Sequence, residues 1–159
     1  MGPALAVKAA GGRRFSLVLF GFSQVVTDVE PLIGLLRGSD VLHGFSHTFV
    51  GATLLGAASV VFGRPICEWL LGALRVTPKR IPLSAACAGA FIGTYAHILL
   101  DGMMHFDMRP FAPFSDANPM LDAMSELDVY LLCVLAGVLG AFAIVWQWRA
   151  QFQPQAVAR

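Results

Sequence analysis

Charge is scarce in this chain. Asp, Glu, Lys and Arg supply 13% of its 159 residues, about half the roughly 25% of a soluble domain. With 57% apolar residues and a mean hydropathy of +0.68, that scarcity excludes an ordinary water-soluble fold and a disordered chain. The net charge of +1 says nothing by itself, and no nucleic-acid partner is expected. Cys67, Cys87 and Cys133 form no CxxC pair and read as buried or membrane-facing thiols, with no disulfide framework. No small-residue cleavage pattern follows the first apolar run, so a cleaved signal peptide is rejected. There is no internal repeat and no low-complexity tract.

What is present is a set of long apolar runs. They predict four membrane spans, at about 15–36, 43–62, 82–104 and 127–148, packed as an all-α antiparallel four-helix bundle. Residues 66–76 are apolar but too short to cross, and are expected to form a short interfacial helix after Gly63-Arg64-Pro65. The expected organisation is a flexible cytoplasmic tail at 1–14, a four-span membrane domain at 15–148 and a second cytoplasmic tail at 149–159. Gly89 and Gly93 in the third span stand in GxxxG spacing, a permissive packing face. Nine of the eleven Lys and Arg residues fall on one side of this topology; only Arg37 and Arg109 fall on the other. By the positive-inside rule both termini are cytoplasmic.

The polar residues inside the runs are the informative ones, because ionisable groups at membrane depth are costly and seldom serve packing alone. His97 and Asp101 are four apart and share a helix face. His43 and His47 repeat that spacing at the start of the second span, and Asp28 and Glu30 lie in the far half of the first, next to Pro31. Imidazole and carboxylate together are the ligand types of zinc. The antiparallel topology brings all of these to one end of the bundle. Bland readings exist for each: a hydrogen-bonded packing histidine at His47, an ion pair of Asp28 with Arg37, a solvated helix start at Asp128, and a surface pair of Asp107 with Arg109. The other halves of the spans offer little beyond Ser23 and Gln24, so a conducting path is disfavoured.

Three segments, Thr27-Asp28-Val29-Glu30-Pro31, His43-Gly44-Phe45-Ser46-His47-Thr48 and His97-Ile98-Leu99-Leu100-Asp101, followed by the Pro-Phe loop at Pro110-Phe111, resemble the YdjM-like family of bacterial inner-membrane proteins. That family is described as metal-dependent hydrolases, and the resemblance covers roughly residues 20–115. It implies a multi-pass protein of the bacterial inner membrane. The family often has Asp at the position of Glu30 and Arg at that of Gly44. A more distant likeness, to zinc-dependent phospholipase C and P1-type nucleases, implies a ligand set of Asp28, His43, His97 and Asp101; the further histidines, the Glu and the N-terminal Trp that hold the other zinc ions of those enzymes are missing here.

The expected function is a membrane-embedded hydrolase with one or two divalent ions, zinc foremost, at the outer interface. Asp28, His43, His97 and Asp101 are the expected ligands, His47 is a ligand or a support for one, and Glu30 is the candidate general base. Expected partners are membrane lipids and a small-molecule or lipid substrate, a phosphoester among the candidates, with self-association into a homo-oligomer left open. The alternative is a metal-stabilised scaffold or regulatory protein without catalysis.

Overall fold

The computed structural model describes residues 2–77 and 80–152, and every regular element among them is a helix. Four stretches are long and apolar enough to cross a membrane: Leu17–Arg37, Phe49–Ala73, Leu83–Met104 and Glu126–Gln151. The all-α, four-span architecture expected from the apolar runs is therefore present.

The first span is two helices, α2 (Leu17–Thr27) and α3 (Val29–Arg37). Ser16 starts α2 by accepting the Leu19 N–H on its side chain, the usual service of an N-cap serine. The break falls at Asp28. Pro31 has no N–H to offer the Thr27 carbonyl one turn back, so the ladder lapses there. The chain turns, and α3 leaves without burying a residue.

The second span starts later than the sequence suggests. Residues 43 and 44 are not helical, Phe45–His47 is a single 3-10 turn, and α4 (Phe49–Ala58) is capped by Thr48, which accepts the Gly51 N–H. Beyond a π-helical turn at Ser59–Gly63, α5 (Arg64–Ala73) continues the same rod. The short helix expected over 66–76 thus exists as the end of span two. Pro65 does not stop it, because it sits in the first turn of α5, where an absent N–H costs little. Glu68 finishes the rod: its Oε1 pairs with Arg64 Nε at 3.0 Å and accepts the Ile81 N–H at 2.9 Å.

Helix α6 (Leu83–Met104) is the axis of the bundle, packed on both α2 and α4. Its GxxxG face meets α2. A Cβ on Gly89 would fall on the Ser16 carbonyl oxygen, and one on Gly93 on the Ser23 hydroxyl. With lipid outside, close backbone packing of this kind, rather than expulsion of apolar surface from water, holds spans together. Leu19, Cys67, Ile81, Ala85 and Ala86 form a buried cluster near the end of the bundle opposite the polar residues.

Residues 2–11, expected to be a flexible tail, form helix α1 (Gly2–Gly11), which packs chiefly along α7 (Glu126–Phe152). The cause is small residues on both sides: a Cβ on Gly140 would land on the α1 backbone between Leu5 and Ala6. Gln147 Nε2 donates to the Ala9 carbonyl, and Lys8 Nζ ties off the end of α1 through the carbonyls of Gly12 and Phe15. Asp128 opens α7 by accepting from the Ser125 hydroxyl at 2.6 Å while its own N–H donates back. The rest of the expected C-terminal tail, 153–159, and Pro78-Lys79 of the basic turn lie outside the described residues.

Candidate metal centre

Three spans meet at one end of the bundle around four side chains. Asp28 comes from the break between α2 and α3, His47 from the 3-10 turn before α4, and His97 and Asp101 from one face of α6. His97 Nε2 lies 3.1 Å from Asp28 Oδ1, 3.0 Å from Asp101 Oδ2 and 3.3 Å from His47 Nε2. His47 Nε2 is 3.6 Å from Asp101 Oδ2 and 3.9 Å from Asp28 Oδ1. His47 is fully buried, whereas the Asp28 side chain is 57% exposed. The group is therefore sealed on the side of α4 and α6 and open at Asp28.

The hydrogen bonds behind the cluster decide what it can hold. Gln24 Nε2 donates to the Gly93 carbonyl at 2.6 Å. That bond fixes the amide, so Gln24 Oε1 faces His97 Nδ1 at 3.0 Å. An amide oxygen only accepts, so His97 Nδ1 carries a hydrogen and the Nε2 of the neutral ring is a bare lone pair. It points among two carboxylate oxygens and a second imidazole nitrogen. His47 Nδ1 lies 2.9 Å from the Ser46 hydroxyl, which can donate or accept. With a hydrogen on that Nδ1 as well, the four facing atoms are all lone pairs and repel one another unless a cation lies among them. One proton on His97 Nε2 points in one direction and cannot satisfy three acceptors.

A divalent ion does satisfy all four. In a tetrahedral zinc site with bonds of about 2.0–2.1 Å, neighbouring ligand atoms are about 3.3 Å apart. The five separations that involve a histidine, 3.0–3.9 Å, bracket that value. Two carboxylates would also neutralise the ion, which matters in apolar surroundings. The residues present thus fit the metal that their types suggest.

The other expected site residues lie elsewhere. His43 does not join the four. Its Nδ1 donates to Asp107 Oδ1 at 2.8 Å, its ring stacks on His105 with centroids 4.3 Å apart, and it meets His47 edge-on at 4.8 Å. Asp107 Oδ2 accepts the N–H groups of Leu42 and His43. Burial works against ionisation of Asp107, but those N–H groups and the His43 ring outweigh it and hold the carboxyl at about 2, below its ordinary 3.8. Burial pushes the His43 imidazole below its ordinary value, against the pull of Asp107. Both shifts describe a neutral imidazole on a carboxylate. Glu30 accepts the Phe45 N–H at 3.1 Å and the Ser46 N–H at 2.5 Å, so it anchors the turn that presents His47. Asp128 is engaged at the start of α7, and Arg109 pairs with Asp116 at 3.1 Å instead of with Asp107.

Gln24, His105 and Asp107 are the participants that sequence reasoning passed over. Gln24 stands four residues before Asp28, on the same helical face, which is the signal that points to it. Nothing local marks Asp107, because its partners are 64 and 65 residues away. Comparison of the chain with models of protein families, with curated proteins and with solved structures gives no match.

Proposed function

We propose that this chain is a membrane-embedded, metal-dependent hydrolase whose ion is held by Asp28, His47, His97 and Asp101 at the outer interface of a bacterial inner membrane, with zinc as the metal and a lipid or phosphoester as the substrate. The observation that carries the metal is the convergence of four ligand atoms, one of them fixed as a bare acceptor through Gln24, with separations of 3.0–3.9 Å about the two histidines. Hydrolysis rests on the donor types and on the open edge at Asp28. A divalent ion in such a place polarises a phosphoryl oxygen and makes water more acidic. The chain's own contribution is position. Gln24 and Ser46 orient the two imidazoles, Glu30 fixes the turn carrying His47, and the exposed Asp28 side chain marks the most open edge. Membership of the YdjM-like family is part of the same proposal, since its three motifs are the segments that meet here. The outward orientation rests on the asymmetry of Lys and Arg.

A second reading, a metal-stabilised scaffold, is favoured by one specific feature: four protein ligands complete a tetrahedron, as in structural sites. The two readings separate in one experiment. The full chain, purified in detergent and loaded with zinc, is assayed on a panel of phosphoesters and phospholipids with and without chelator, beside His97→Ala. Chelator-sensitive hydrolysis lost in the variant supports the enzyme. Bound zinc with no turnover on any substrate supports the scaffold.

A further inference from the structure

The second polar group, beside the first, has the composition of a metal site in its own right. One ligand atom from each of His43, His105 and Asp107 lies within 4.8 Å of the others. The three converge from two loops: His43 precedes the turn before α4, and His105 and Asp107 follow α6. Asp107 is fixed by two main-chain N–H groups on Oδ2, and an ion bound here would displace the hydrogen that His43 Nδ1 donates to Oδ1 at 2.8 Å. His105 stacks on His43, and its ring nitrogens make no hydrogen bond among the described residues. Both ring nitrogens of this part-buried imidazole are therefore uncommitted among the described residues, beside a histidine and a carboxylate.

We propose that His43, His105 and Asp107 hold a second divalent cation next to the four-residue site, and that this second ion is the one with a free coordination position. Three donors leave a tetrahedral ion one ligand short, the arrangement of catalytic rather than structural zinc, while the first group supplies all four. His43 and Asp107 also line a cavity of about 520 Å³. Val41, Phe45 and Pro113 give it apolar walls, and Arg109, whose guanidinium pairs with Asp116, also lines it. That lining suits an amphiphilic phosphoester, with the phosphate charge at the ion and the chain along the apolar wall. The edge contact of His43 with His47 joins the two groups, so the centre is binuclear, with one ion tying the spans together and one facing the cavity.

The inference rests on the reading of the first group as a metal site, and metal counting separates the two. The full chain in detergent is saturated with zinc, freed of excess, and its zinc is measured per chain; His105→Ala and His97→Ala are treated alike. Two ions in the wild type and one in His105→Ala support the second site, and the ion retained in that variant shows that its fold persists. One ion in the wild type, unchanged in His105→Ala and lost in His97→Ala, overturns the second site and leaves the first. Two ions in both the wild type and His105→Ala, or loss of both ions in His105→Ala, also overturns it. No bound zinc in the wild type overturns both sites.

Discussion

Replacing Gln24 with Leu removes the group that makes His97 a ligand while leaving every ligand in place. The side chain makes two hydrogen bonds, accepting from His97 Nδ1 at 3.0 Å and donating to the Gly93 carbonyl at 2.6 Å. Leucine is of similar size and can make neither. His97 then loses both its orientation and the partner that keeps its hydrogen on Nδ1. Its side chain is only 8% exposed, so water does not readily replace the amide. Loss of a group that orients a metal-bound histidine costs roughly 10–100-fold in metal affinity, which is about 1.4–2.8 kcal/mol. Competition for zinc between the purified protein and a chromophoric chelator in detergent measures this directly. Gln24→Leu should weaken zinc binding by that factor, and His97→Ala should weaken it further. If Gln24→Leu binds zinc as tightly as the wild type while His97→Ala does not, the Nδ1 hydrogen bond does not govern the ligand, and the tautomer reasoning behind the site fails.

Gly93→Leu places a side chain on the Ser23 hydroxyl and the α2 backbone; such overpacking should lower stability by about 1–3 kcal/mol, visible as a lower melting temperature in detergent, and an unchanged temperature would refute the close α2–α6 contact. Glu30→Ala removes the acceptor of the Phe45 and Ser46 N–H groups, so hydrogen exchange at those two amides should quicken and zinc affinity should fall, while Glu30→Gln, which keeps one acceptor oxygen, should be the milder change. Acidification should act in two stages. Zinc leaves first, as the imidazole ligands take up protons. The Asp107 carboxyl, lowered from 3.8 to about 2 in the fold, contributes stability that is complete above its unfolded value and lost as pH falls through its folded one. Protection of the Leu42 and His43 amides should therefore persist at pH 5 in metal-free protein; loss of protection there would refute the anchoring role of Asp107.

The parts of the structure legible in the sequence are those that regular helices dictate. Apolar runs mark the four spans, and His97 with Asp101 is readable because α6 is unbroken across both. Pro31 beside two acids hints that the first span bends where it does. The division of labour between His43 and His47 was not legible. Their i,i+4 spacing suggests one helical face, but the segment is a loop with a 3-10 turn. Its backbone N–H groups are taken by Glu30 and Asp107, acids from distant parts of the chain. Thr48 then caps the helix. Helix α1 escaped for a similar reason: its small residues matter only against the glycines of α7, and no local pattern reports that pairing.

The most direct measurement is anomalous diffraction at the zinc absorption edge from crystals of the zinc-loaded protein. The four-ligand site predicts a peak about 2.0–2.2 Å from each of Asp28 Oδ1, His47 Nε2, His97 Nε2 and Asp101 Oδ2. Crystals with bound zinc elsewhere and no peak among these four atoms would contradict the metal centre.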